Sequence, residues 1–311
     1  MMVYNSFMRR LPFSAQTIMP VFIATVLLCA PSQQALAQVD AKKIEELIRA
    51  SGAETVAVAY YDLATGKQFT INPDESFHAA STMKVPVMME VFRQAREGNL
   101  ALDDTIVVKN EFASIADGSR YSLAPGDDSE TSLYQKIGHP ISLRELVHLM
   151  ITVSSNLATN LLIEQVTPAR VMALMKKLGA KNIKVLRGVE DGKAYERGLN
   201  NTTTARDLMI LLRRIAERRA VSAKDSDEMV KVLMDQKFNE GIPAGVPPTA
   251  KVAHKTGNIT RINHDAAIVY PQGRKPYILV VLTRGIVEEP RAHKLIADIS
   301  REVYAASERR K

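Results

Sequence analysis

The sequence predicts an α+β fold: an antiparallel sheet flanked by helices, with an all-helical lobe beside it. Three observations carry the prediction. Alternating and β-branched segments cluster near the two ends, over 55–77 and 251–285. The stretch between them has helical periodicity. The chain of 311 residues is long enough for a substantial core without disulfides. Strands from both ends most economically share one sheet, which leaves the helical middle as a second lobe. The junction between the lobes is then a cleft, the usual place for a ligand.

The elements follow in order. Arg9 and Arg10 precede the apolar run Ile18–Ala30, and Ala35-Leu36-Ala37 supplies a small-x-small cleavage site. This is the pattern of a secretory signal peptide over residues 1–37. The run spans 13 residues, short of the ~20 a spanning helix needs, so no stable membrane anchor is expected after cleavage. Leu28 stands before Cys29 where a lipoprotein site wants a small residue, which argues against lipidation. The expected destination is across the inner membrane, in a bacterial periplasm. The mature domain covers 38–311, with an α/β lobe from 38–80 and 250–311 and a helical lobe from 81–249.

Within that domain, "AKKIEELIRASG" reads as a helix ended by Gly52, and "TVAVAYYDLATGKQFTIN" as two strands about a turn at Ala64-Thr65-Gly66. Helical segments follow from Ser81 to about Thr249. Ser142 and Glu145 have capping-box spacing before an apolar run, and Thr167-Pro168 and Gly179 bracket another helix. The segment "SIADGSRYSLAPGDDSETSLYQKIGHP" is a long polar insertion, either a loop near the cleft or surface decoration. Three strands, "KVAHKTGNIT", "HDAAIVYP" and "PYILVVLTRG", and a helix from Glu289 close the chain.

Composition narrows the chemistry. The only cysteine, Cys29, leaves with the leader, so the mature chain has no thiolate nucleophile, thiolate metal site or disulfide. The formal charge of +7, two of which leave with Arg9 and Arg10, is scattered, as in "RRIAERR", without interleaved aromatics. Solvated helix faces explain it, and no nucleic-acid partner is expected. The six histidines form no H-E-x-x-H, and no G-x-S-x-G elbow or Gly-rich phosphate loop occurs. No metal or organic cofactor is implied. His264-Asp265 is expected as a positioned polar pair at the edge of a site. A monomer is the expected state.

Three short motifs remain. In "STMK", Ser81 and Lys84 stand at i and i+3, a spacing that a helix turns into adjacency. A serine hydroxyl needs a base, and a neutral amine serves if burial lowers its pKa. The unpaired N–H groups of a helix start can also stabilise an oxyanion. In "VSSN", Ser154 offers a proton relay and Asn156 an amide. In "HKTG", Lys255 offers positive potential, Thr256 a hydroxyl for a carboxylate, and Gly257 close backbone approach. Taken singly, the three also read as a polar helix start, a helical break and an edge strand.

Their order and setting together resemble the serine penicillin-recognising superfamily, most closely the class A β-lactamases, with their S-x-x-K, S-D-N and K-T-G motifs. The resemblance runs from "VAVAYYDLATGKQFTIN" through "TTTARDL" to the final helix. It implies a serine β-lactamase with Ser81 as acylated nucleophile, Lys84 as its proton partner and Ser154 as relay to the leaving nitrogen. Asn156 would hold the acyl side-chain amide, and Lys255, Thr256 and Gly257 would bind the substrate carboxylate. The backbone N–H groups of Ser81 and Asn258 would form the oxyanion hole. The implied substrate is a small-molecule β-lactam or a peptidoglycan stem peptide. A D-alanyl-D-alanine carboxypeptidase, a penicillin-sensitive esterase, or a non-catalytic binding protein on the same scaffold are the alternatives.

Two departures stand out. Ser155 replaces the usual motif aspartate, mainly a structural support. The family's deacylating glutamate lies in a loop before a "TTT" segment, commonly as Arg, an aromatic, Glu, two residues, then Leu-Asn. Counting from Gly179 selects Glu190, whereas the local E-x-x-L-N pattern selects Glu196 with Leu199 and Asn200. Loop length favours Glu190.

Overall fold

A computed structural model describes residues 40–308; the leader expected over 1–37 lies outside them. Helix α1 (Ala41–Ser51) starts where the Asp40 carboxylate accepts from Lys43 N at 3.1 Å and stops at Gly52, whose φ of 69° is left-handed. Strands β1 (Thr55–Asp62) and β2 (Gln68–Ile71) follow. Their turn is tied by the Asp62 carboxylate, which accepts from Ala64 N and Thr65 N. Short β3 (Phe77–His78) leads into a 3₁₀ turn, Ala80–Met83, and helix α2 (Lys84–Arg96).

The insertion and the segment before it are ordered into short elements. Strands β4 (Thr105–Val107), β5 (Phe112–Ala113), β6 (Arg120–Tyr121) and β7 (Pro140–Ser142) frame two 3₁₀ turns, Pro125–Asp127 and Ser132–Lys136. Helix α3 (Leu143–Thr152) begins where Ser142 Oγ accepts from Glu145 N, while the Glu145 carboxylate takes Lys136 Nζ. Only the serine half of the expected capping box therefore forms. Helices α4 (Asn156–Val166) and α5 (Pro168–Leu178) follow; α5 starts at Pro168 and ends at Gly179, as the sequence predicts. Then come α6 (Gly192–Glu196), β8 (Thr202–Thr203), α7 (Ala205–Ala216) and α8 (Ala223–Met234). Strands β9 (Lys251–Ile259), β10 (Ile262–Tyr270) and β11 (Tyr277–Arg284) and helix α9 (Glu289–Glu308) complete the described chain.

Strands from both ends share one antiparallel sheet, ordered β2-β1-β11-β10-β9. Period-two alternation divides its side chains between two cores. Val56, Val58, Tyr60, Leu279 and Val281 meet α1 and α9 through Ile44, Ile296 and Ile299. Ala57, Ala59, Ala266, Ile278, Val280 and Leu282 join the helical side with Met88, Leu161 and Leu208. A sheet covered on both faces explains why these strands read as almost continuous apolar runs. Helix α2 runs through the helical core with every residue from Lys84 to Phe92 buried. That burial decides the state of the lysine at its start.

Candidate active site

Ser81 sits within the 3₁₀ turn and Lys84 is the first residue of α2. Residues at i and i+3 eclipse in 3₁₀ geometry, so the turn aligns the two side chains more directly than an α-helix does. The preceding residue, Ala80, is held at φ 44°, a region disfavoured for any residue with a Cβ. His78 braces it: its Nδ1 accepts from Ala80 N at 3.1 Å. The next brace is His264, whose Nδ1 accepts from Thr283 N, leaving Nε2 to donate to His78 O at 3.0 Å. Burial pushes the His264 imidazole down to about 4, so this strut stays neutral at physiological pH.

Lys84 is fully buried. Its Nζ donates to Ser154 O at 2.6 Å and Asn156 Oδ1 at 2.9 Å, and lies 3.1 Å from Ser154 Oγ. Two carbonyl acceptors match the two hydrogens of a neutral amine, leaving its lone pair for a hydroxyl proton. Desolvation lowers its pKa to about 7, against the opposing pull of the Asp128 and Glu190 carboxylates.

Ser154, in the α3–α4 break with φ 58°, brings the motifs together. Its Oγ is also 3.1 Å from Lys255 Nζ on β9. With both hydrogens of a neutral Lys84 taken by carbonyls, Ser154 Oγ can accept from Lys255 while its own proton faces the Lys84 lone pair. Lys255 is completely buried and also donates to Thr256 O at 2.9 Å. Burial and the neighbouring Lys84 hold its pKa well below the usual lysine range, opposed by Asp265. Lys255 thus lies beneath the cleft, whereas Thr256 lines the cleft itself.

Gly257 shows why a strand residue without a side chain is needed. A Cβ there would meet Thr82 N at 3.0 Å and Ser81 N at 3.1 Å. Edge strand β9 therefore presses its backbone against the Ala80–Met83 turn. The next residue, Asn258, donates from Nδ2 to Glu289 Oε1 at 2.7 Å at the start of α9. The other sheet face carries Asp265, which accepts from Ile242 N and lies 2.9 Å from His254 Nδ1. His264 and Asp265 are successive residues of β10 with side chains on opposite faces, and both line the cleft, as expected of a positioned polar pair at its edge.

Two cavities of about 380 and 750 Å³ meet over this constellation, sharing Ser81, Asp127, Asn156 and Asn258. Asp127 and Ser129 of the insertion line the smaller one. The insertion is thus part of the cleft wall.

The loop 187–201 closes the larger cavity, and Glu190 lines it. Glu190, at φ 59°, accepts from Asn156 Nδ2 at 3.3 Å. Asn156 therefore bridges Lys84 and Glu190 with its two amide atoms. Glu196 is exposed at the end of α6 and lines neither cavity. The Leu-Asn pair that favoured it closes the loop neck instead, because Arg187 donates to Leu199 O and Asn200 Oδ1. The loop is pinned from several sides. Asn160 takes Val189 N on Oδ1 and donates to Val189 O. A Cβ at Gly188 would stand 2.3 Å from Asn160 Oδ1, so a side chain has no room there. Asp191 accepts from Ser114 Oγ at 2.7 Å and Ile115 N at 2.9 Å of the insertion. Asn160, Asp191 and Asn201 were not singled out from sequence, because their partners lie far along the chain.

The family model described as "Beta-lactamase enzyme family" matches residues 40–307. A β-lactamase from Streptomyces albus G is 27% identical over 266 residues, covering 84% of this chain and 82% of that protein. Among solved structures, one titled "Structure of PBP-A" superposes with a TM-score of 0.75 at 28% identity, covering 86% of this chain and 95% of its own. A β-lactamase from Sphaerobacter thermophilus DSM 20745 does so with a TM-score of 0.75 at 26% identity, covering 86% and 98%.

Proposed function

The chain belongs to the class A β-lactamase family, and from that premise we propose that it is a serine hydrolase opening the β-lactam ring through a Ser81 acyl-enzyme. The observation that carries this reading is the fully buried Lys84 at i+3 from Ser81, tied to Ser154 and Asn156, with a pKa that burial lowers to about 7. Neutral Lys84 takes the Ser81 proton as Oγ bonds to the lactam carbonyl carbon. The backbone N–H groups of Ser81 and Asn258 receive the oxyanion. Ser154 passes its proton to the lactam nitrogen as the C–N bond breaks, and the proton held by Lys84 replaces it. Thr256 receives the substrate carboxylate, with Lys255 supplying the field behind it. Water activated by Glu190 then hydrolyses the ester and frees Ser81. Export to a periplasm would place the enzyme where β-lactams reach cell-wall synthesis.

Steady-state hydrolysis of nitrocefin by the wild type, Ser81→Ala, Glu190→Ala and Glu196→Ala tests the reading. Ser81→Ala should abolish turnover, Glu190→Ala should trap an adduct visible by mass spectrometry, and Glu196→Ala should change little. Full hydrolysis by Ser81→Ala would overturn the mechanism.

A second reading, an acyl-transferring D-alanyl-D-alanine peptidase, is supported by the likeness to PBP-A, a variant of which was solved as an acyl-enzyme with penicillin G. Under that reading the wild type itself would hold a long-lived penicillin adduct.

A further inference from the structure

Ser155 stands where the middle motif usually has a carboxylate, and α4 begins at the next residue. The first N–H groups of a helix have no partner within it. Ser155 Oγ accepts from Ala158 N at 3.2 Å, which leaves the amides of Asn156 and Leu157. Both go to Asp128, a residue of the insertion that is 8% exposed. Its two oxygens accept from Asn156 N at 2.9 and 3.0 Å, and Oδ2 accepts from Leu157 N at 2.9 Å. The same carboxylate takes Tyr134 OH at 3.0 Å and Glu130 N at 3.1 Å, with Ser155 Oγ at 3.5 Å.

We infer that Asp128 is a positioning residue that supplies, from the insertion, the carboxylate that Ser155 leaves out of the middle motif: it fixes the backbone of Asn156 and sets the charge around Lys84. The catalytic part of this inference rests on the hydrolase reading; the capping part stands on geometry alone. Pinning Asn156 N orients a side chain whose Oδ1 accepts from Lys84 and whose Nδ2 donates to Glu190. The charged groups facing Lys84 are Asp128 from the insertion, Glu190 from the 187–201 loop and Lys255 from β9. The two carboxylates favour the ammonium and Lys255 opposes it. Neutralising Asp128 removes one anion, so Lys84 should release its proton at lower pH.

Asp128→Asn, Ser155→Asp and the double variant Asp128→Asn/Ser155→Asp test this. Three readouts are needed: the ¹H–¹⁵N amide resonances of Asn156 and Leu157, the ¹³Cε titration of Lys84, and the pH profile of penicillin acylation. In Asp128→Asn the two amides should move upfield and the Lys84 titration should shift to lower pH. The acid limb of acylation should follow it, with the rate at neutral pH falling roughly 10- to 100-fold. The double variant, which returns a carboxylate to the motif, should recover most of the rate and the wild-type Lys84 titration. Unmoved amides and an unmoved Lys84 titration in Asp128→Asn would overturn the inference. So would a folded double variant that recovers nothing. If the wild type turns over no penicillin and neither it nor Glu190→Ala is acylated by one, the hydrolase reading fails, and the amide and lysine titrations still decide the role of Asp128.

Discussion

Lys84 owes its chemistry to desolvation more than to its partners. Burial is the largest cause of its depressed pKa, and the Asp128 and Glu190 charges only moderate it. A base works in its neutral form, so acylation should rise with pH through about 7. Because Glu190 favours the ammonium, Glu190→Gln should carry that limb to lower pH. Stopped-flow acylation between pH 5 and 9 checks both. The linkage runs the same way. The folded pKa lies below the unfolded value of about 10.4, so between about pH 7 and that value the unfolded chain holds more protons and stability rises with pH. Thermal melts at pH 7 and 9 should show a higher midpoint at pH 9. At this scale the motif residues were legible in the sequence, because three-residue spacing puts a hydroxyl and an amine on one side of a helical turn. Asp128 was not: one acidic residue within "GDDSE" looks like any other until the fold brings it to α4.

The decisive element is the 187–201 loop. Its neck is closed by Arg187 and by Asn201, whose Oδ1 accepts from Leu186 N and Arg187 N. Its middle is held between Asn160 and the insertion through Val189 and Asp191. Glu190 inherits its place from these ties. Gly188→Ala puts a Cβ on Asn160 Oδ1 and should displace the loop. Acylation should persist while deacylation slows at least about 10-fold, read as accumulation of the penicillin adduct by mass spectrometry. Undiminished turnover in a folded Gly188→Ala protein would show that the loop does not place the hydrolytic water. The E-x-x-L-N pattern also selects Glu196 because local spacing does not reveal that Leu199 and Asn200 are used in closing the neck.

On the scale of the whole molecule, the sheet joins segments some two hundred residues apart, and β1 lies between β2 and β11. Both faces of β11 are buried, with Leu282 in the helical-side core opposite Ala57. Leu282→Ala should destabilise the fold by about 2–5 kcal/mol, with an unchanged urea m-value if unfolding stays two-state. The same packing sets the site, since β9 must press on the 3₁₀ turn for Lys255 to reach Ser154. Helix and strand identities were readable because amphipathic and alternating periods are local properties. The ordered hairpin and 3₁₀ turns of the insertion were not, because their order comes from contacts with α4 and the loop rather than from any period.

The sequence alone determined the α+β class, the sharing of one sheet by both chain ends, and the three ordered motifs; each rests on periodicity or on spacings within a few residues. Tertiary structure alone decided that Lys84 is desolvated, that Glu190 rather than Glu196 faces Asn156, and that Asp128 holds the helix start left open by Ser155. Those outcomes depend on burial and on distances between residues tens to hundreds of positions apart, which no local pattern records.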